Sequence, residues 1–171
     1  METTNSSGGN KTILWIAGGC LALIVCLLAV VILGFGGLAW LGSQTPQYTG
    51  VMLDSPLEAA VGDPIELRVS VENSGSTPMQ LMSIDISLNY LNGIAIDHTD
   101  PAFTESSQFD ALGGGETFQT FYFHRSIAPG ETLTILFSGV AVSAGDYSGS
   151  LDVCIDSEFN CATNIVRTVI K

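Results

Sequence analysis

Cys154 and Cys161 are the residues with the clearest chemistry in this chain. They flank Ile155 to Asn160, the short segment between two alternating stretches, Tyr147 to Ile155 and Ala162 to Ile170. If these stretches form a hairpin, the two thiols lie across from each other, near the ~5.5–6 Å Cα spacing that a disulfide prefers. Outside the cytoplasm such a pair oxidises. The closed loop is small, so the staple is worth roughly 2 kcal/mol. The competing chemistry is a thiolate metal site. Cys-x6-Cys is not a zinc spacing, and no second pair completes four ligands. Copper(I) accepts thiolate and thioether ligands, and Met52, Met79, Met82, His98 and His124 are available in the sequence. Met79 and Met82 are three apart at a strand start, which points them to opposite faces. A membrane-tethered copper metallochaperone using Cys154 and Cys161 is therefore kept as the alternative reading, and no metal or cofactor is assigned.

The second cluster is acidic. Asp97, Asp100, Glu105 and Asp110 share an irregular stretch with His98. Calcium takes six to eight oxygen ligands, but this spacing is not an EF-hand and lacks its glycine, so a solvated acidic loop is expected. Catalysis has no comparable signature. The sequence holds no G-x-S-x-G elbow, no H-E-x-x-H and no P-loop. His98 and His124 are the only histidines, and an acid–base pair also needs a shaped pocket. The chain is expected not to be an enzyme.

The elements that must position these residues alternate with period two. Ile65, Leu67, Val69 and Val71 alternate with Glu66, Arg68, Ser70 and Glu72, the pattern of a strand with one buried and one wet face. Asn73-Ser74-Gly75 ends it. Ile84, Ile86 and Leu88 alternate with Asp85, Ser87 and Asn89 in a second strand. Asn92-Gly93 predicts a hairpin turn, because both residues tolerate positive φ, with Ile94 to Ile96 returning. Asp97 to Glu116 reads as a long loop. Strands resume at Thr117 to His124, followed by the turn Ala128-Pro129-Gly130-Glu131. Leu133, Ile135 and Phe137 face inward. The phase then shifts to Val140 and Val142, so Ser138-Gly139 is a candidate β-bulge. With the two stretches around the cysteines, seven or eight short antiparallel strands result. The fold class is all-β, an immunoglobulin-like sandwich.

The stretch VGDPIELRVSVENSGSTPMQL resembles the opening strands of bacterial and archaeal cell-surface Ig-like modules, including those called CARDB. APGETLTILFSGVAVSAGDYSGSLDVCID resembles their closing strands, with Tyr147 where a tyrosine-corner residue would sit. The resemblance spans roughly residues 57 to 170 and implies a membrane-anchored surface protein with a binding or structural role. One sandwich hosts many functions. VENSGSTP…SLNYLNG is also similar to the sandwich of late-embryogenesis-abundant type membrane proteins, and departs from it after Gly93.

The address comes from the other end. Thr12 to Leu53 carries no charge, and Ile13 to Leu41 is almost wholly apolar. A helix over that stretch is about 43 Å long, more than the ~30 Å hydrocarbon core. Trp15 and Trp40, about 37 Å apart on such a helix, suit the two interfaces, with Lys11 just outside. The apolar stretch is much longer than a signal-peptide core of about 7 to 15 residues. Lys11 places the amino terminus in the cytoplasm and the domain outside. Gly18, Ala22 and Cys26 form a small-residue stripe on which a homodimer could pack. The expected organisation is a disordered tail (1–12), a transmembrane helix (13–41), a linker (42–50) and the sandwich (51–171). The net charge is −12. All but one of the acidic residues follow the apolar stretch, against Arg68, Arg125, Arg167 and Lys171. Such a domain repels nucleic acid. The expected partners are the lipid bilayer and a protein of the cell envelope.

Overall fold

The computed structural model describes residues 50–111 and 115–171. The chain divides into two compact units, Met1–Gln44 and Thr45–Lys171, and the described residues belong to the second. Among them no helix is long and apolar enough to cross a membrane. The expected spanning segment lies outside the described residues, with Lys11, Trp15, Trp40 and the stripe of Gly18, Ala22 and Cys26.

The described chain runs through β1 (Gly50–Asp54), β2 (Glu58–Ala59), β3 (Pro64–Glu72), β4 (Met79–Ser87), the single helical turn α1 (Leu88–Leu91) and β5 (Ile94–Asp100). It continues through β6 (Glu105–Asp110), β7 (Thr117–Ile127), β8 (Thr132–Ala141), β9 (Gly145–Ile155) and β10 (Cys161–Ile170). One sheet has the order β1-β3-β8-β5 and the other β2-β10-β9-β4-β7-β6. Every pairing is antiparallel except the short β2–β10 contact.

Period-two patterning makes the two layers. Ile65, Leu67, Val69 and Val71 of β3 are buried, with Ile135 and Phe137 of β8. From the other sheet come Ile84 and Ile86, Leu151 and Val153, Phe121 and Phe123, and Val166. Phe137 ties the layers together: its ring meets Phe121 edge-on at 5.2 Å and Phe123 at 6.2 Å. Such pairs add to area burial because ring edge and ring face carry opposite partial charge. The architecture is a two-layer, all-β sandwich around one core.

Five local expectations are corrected. Ten strands are described rather than seven or eight. The surplus comes from β1, β2 and β6, which lie at sheet edges and have few or no buried residues to mark them. Asn92-Gly93 does not close a hairpin, because β4 and β5 belong to different sheets. Leu88 starts α1 instead of ending a strand. The Ser87 side chain accepts a hydrogen bond from the Asn89 N–H and caps the turn. Tyr90 on α1 is fully buried, and its hydroxyl lies 3.1 Å from Thr168 Oγ1. Thr168 in turn donates to Pro56 O. Gly93 serves close approach, since a Cβ there would sit 2.3 Å from the Tyr147 ring.

The bulge near Ser138-Gly139 lies on the opposite strand. The β5–β8 register shifts between Ile96 and His98, whereas β8 keeps its phase. Gly139 keeps the inward phase of Ile135, Phe137 and Ala141, and it is glycine where a Cβ would sit 2.2 Å from Ala95 O. Val140 and Val142 therefore point outward without a change of phase. Finally, part of the expected 97–116 loop is the end of β5 and the whole of β6. All six residues of β6 are exposed, so it carries no apolar alternation for sequence reasoning to find.

Asn73 holds the far end of the sandwich together. It is buried, and its amide nitrogen donates to Thr77 O and Ile127 O while its side-chain oxygen accepts from the Gly75 N–H. Its backbone N–H donates to Glu131 O, and its carbonyl accepts from Gly130. Asn73→Ala strands two carbonyls and an N–H. A loss of about 2–3 kcal/mol is expected, read as a lowered denaturation midpoint of the full chain with an unchanged m-value.

Candidate functional site

The site is built on the outward face of the six-stranded sheet. In β9, Leu151, Val153 and Ile155 take the core, which turns Asp152 and Cys154 to the other side. In β4 the register shifts between Leu81 and Ser83 against both neighbours. Leu81 and Ile84 thus both reach the core, and Ser83 and Asp85 join Cys154 on the outer face. His124 absorbs the irregularity on β7 with φ 49°.

Cys154 pairs directly with Cys161 across β9–β10. The neighbouring pair is hydrogen-bonded, Ile155 N–H to Asn160 O. This makes 154/161 a non-hydrogen-bonded pair, the closer of the two kinds. The Cα atoms are 4.0 Å apart and the disulfide is closed. The expected staple is present, with a shorter Cα spacing than a generic bridge. Both thiolates are consumed, so the copper alternative is not favoured.

Asp85 lies beside this bridge, its Oδ2 3.5 Å from Cys154 Sγ. Its cross-strand neighbours are Asp152 on β9 and Thr120 on β7. Asp85 is only 6 % exposed, and Cys154, Ser83 and Thr120 are buried as well. Asp85 Oδ1, Thr120 Oγ1 and Asp152 Oδ1 are buried and close no hydrogen bond. Burial pushes the Asp85 carboxyl up to about 6. The nearby hydroxyls of Thr120 and Ser83 pull the other way, and the charges of Asp152 and Glu158 add to the rise. A neutral acid suits this position, because an ionised carboxylate would face a sulfur with no proton to offer.

Asp85, Cys154 and Cys161 are the one group among the described residues whose metal-capable atoms lie within 4.8 Å of one another. The acidic residues considered for calcium do not converge. Asp97, His98 and Asp100 lie on β5, and Glu105 and Asp110 on β6, in different sheets. His124 stacks on Tyr122. Met79 is in the core, whereas Met52 is exposed. Tyr147 behaves as expected: its hydroxyl donates to Ala144 O at 3.3 Å. Sequence reasoning missed Asp85, which occupies a polar slot in an alternating strand and reads as solvent-facing. The usable signal was its central position in the chain of pairings, between two strands that each present a polar side chain to it.

Fold and site define an all-β sandwich domain with a disulfide on its outer sheet face and a buried acid beside it. No family model matches the chain, and no curated protein matches it. Among solved structures it is similar to a CARDB domain from Pyrococcus furiosus, determined in complex with di-metal ions. That likeness has 13 % identity and a TM-score of 0.39, over 77 % of this chain and 96 % of that one. It is also similar to the cupredoxin domain of amoB from Nitrosocaldus yellowstonii, with 9 % identity and a TM-score of 0.45, over 74 % and 89 % of the two chains. A third likeness is to red sea bream transglutaminase, with 14 % identity and a TM-score of 0.41. It covers 72 % of this chain and spans 15 % of the transglutaminase.

Asp85 also makes stability depend on pH. Its folded value, about 6, lies above the ordinary 3.8, so the folded state holds the proton more tightly than the unfolded chain. The stabilisation is full below about pH 3.8 and is lost as pH rises through about 6. Asp85→Asn does not titrate, and its amide offers donors to the unpartnered oxygens. Between pH 4 and pH 7.5 the variant is expected to gain about 2 kcal/mol on the wild type. Paired denaturant titrations at the two pH values measure this, and an unchanged difference would contradict it.

Proposed function

We propose that this chain is a single-pass membrane protein that presents its β-sandwich outside the cytoplasm, in a non-catalytic binding or structural role at the cell envelope. The observation that carries the reading is the closed Cys154–Cys161 disulfide on a domain that follows a charge-free apolar stretch. Disulfides persist in oxidising compartments, and a stretch of that length suits a bilayer. The contact surface we favour is the β6 edge. Among the described residues β6 pairs only with β7, and its outer edge is the one we assign to a strand from a protein partner. Phe109 stacks on Phe118 beside that edge at 5.4 Å and remains exposed, giving an incoming strand an apolar anchor. The acidic side chains Glu105 and Asp110 favour a partner with basic residues flanking its added strand.

Thiol accounting on intact cells tests the topology. A membrane-impermeant maleimide is applied with and without prior reduction, and Cys154 and Cys161 are read by mass spectrometry. Labelling only after reduction is expected. Labelling only after lysis would invert the topology and overturn the reading.

A further inference from the structure

The two halves of the disulfide differ in a way that a structural staple does not require. Cys154 is fully buried, whereas Cys161 is partly exposed at the start of β10. Cys161 Sγ lies 3.3 Å from Glu158 O, in the short β9–β10 connection. The carboxyl group sits on the buried half only, Asp85 Oδ2 being 3.5 Å from Cys154 Sγ. The other oxygen of that carboxyl, Oδ1, is buried without a partner. Cys161 is therefore the half nearer solvent, and Cys154 the half beside the acid.

We propose that Cys154–Cys161 is a thiol–disulfide exchange site that takes a dithiol as its reaction partner, with Asp85 as the proton donor to Cys154. In the opening step a thiolate of the dithiol attacks Cys161 Sγ. A new S–S bond forms as the Cys154–Cys161 bond breaks, and the bonding pair passes to Cys154 Sγ. Cys154 takes the Asp85 proton and becomes a neutral thiol, leaving Asp85 as a carboxylate. The second thiolate of the dithiol then attacks its own sulfur in the mixed disulfide. It closes the oxidised dithiol and releases Cys161, which is protonated from water. Two electrons have moved from the dithiol to the cysteine pair, and Asp85 recovers its proton from solvent. In the reverse direction the Asp85 carboxylate accepts the Cys154 proton, so the same residue serves closure as a base.

The physical requirement is that departure of a buried thiolate be assisted. A thiolate forming at a fully buried sulfur lacks water to stabilise it, and the exchange rate rises as the leaving sulfur becomes a better leaving group. A neutral carboxyl at hydrogen-bond range supplies the proton there. The charged and titratable groups facing Asp85 set when it is neutral. From β9 these are Asp152 and Cys154. From the β9–β10 connection Glu158 contributes. β7 presents Thr120 and, one outer-face pair along, Tyr122, and β4 itself contributes Ser83. The facing charges are acidic and there is no cation among them, so burial and charge both raise the carboxyl and keep the protonated form in the majority up to about pH 6.

The experiment is reduction of the purified full-length chain in detergent by dithiothreitol from pH 5 to pH 8. Free thiols at Cys154 and Cys161 are trapped by alkylation and read by peptide mass, and rates are divided by the dithiothreitol thiolate concentration. In the wild type the normalised rate is expected to fall about ten-fold across a midpoint near pH 6. The wild-type to Asp85→Asn ratio is expected to fall from about ten at pH 5 to one or below at pH 8. A wild-type profile without this fall overturns the proposal, even if Asp85→Asn does not fold. So does a disulfide that opens only when denaturant is added. The proposal is independent of topology: the labelling experiment can invert the membrane reading while this profile stands, and the profile can be flat in a domain that faces outward.

Discussion

The burial of two apolar sheet faces against each other is the constraint on which the rest of this domain depends. A strand with one apolar face is stable only when that face is covered, and two twisted sheets stacked face to face are a common solution. Here β3 and β8 supply one wall and β4, β7, β9 and β10 the other. Both walls rest on Phe137, whose ring meets two rings from the opposite layer. Once those faces close, the chain must cross between layers without leaving polar backbone buried. The crossing from β4 to β5 does this with one capped helical turn. Its Tyr90 passes a hydrogen bond to Thr168 and on to Pro56 O, so the largest buried side chain at the crossing keeps its polar atom satisfied.

The same closure determines what the outer face becomes. In the six-stranded sheet β4 is flanked on both sides, so its outward side chains have neighbours left and right as well as above and below. A serine or an aspartate there is short enough to be enclosed by longer neighbours. Ser83, Asp85, Thr120 and Cys154 are buried on a face that alternation alone would assign to water. The chemistry of the site comes from that enclosure. The disulfide needs only its hairpin, but the perturbed acid needs a central strand.

Much of the fold was legible in the sequence where alternation was strict. β3, β8, β9 and β10 follow from their residue patterns, and the Cys154–Cys161 bridge follows from the spacing across a hairpin. Legibility failed for physical reasons elsewhere. β6 is exposed along its length, so no apolar signal exists. The Asn92-Gly93 pair carries turn chemistry, but its glycine is needed for the Tyr147 ring rather than for positive φ. Asp85 was invisible because a single polar residue in an alternating strand looks the same in a central strand as at an edge. Strand order, which decides the matter, is a property of long-range pairing and not of local pattern.

The edges show how such a domain stays discrete. An open strand edge invites pairing with other chains, and proteins blunt it with charge, bulges or short strands. β2 is two residues long, and β5 carries a register shift opposite Ser138 and Gly139. β6 has neither device. It is six residues long and regularly paired on its inner side, and its protection is the charge at its two ends, Glu105 and Asp110. Charge is the most selective of these defences, because it repels a second acidic copy of the same domain while leaving the backbone groups free. With a net charge of −12 on the chain, that repulsion extends beyond the two end residues. Self-pairing through β6 is therefore opposed where pairing with a strand of opposite charge is favoured, which separates this edge from those that length or geometry closes to every partner.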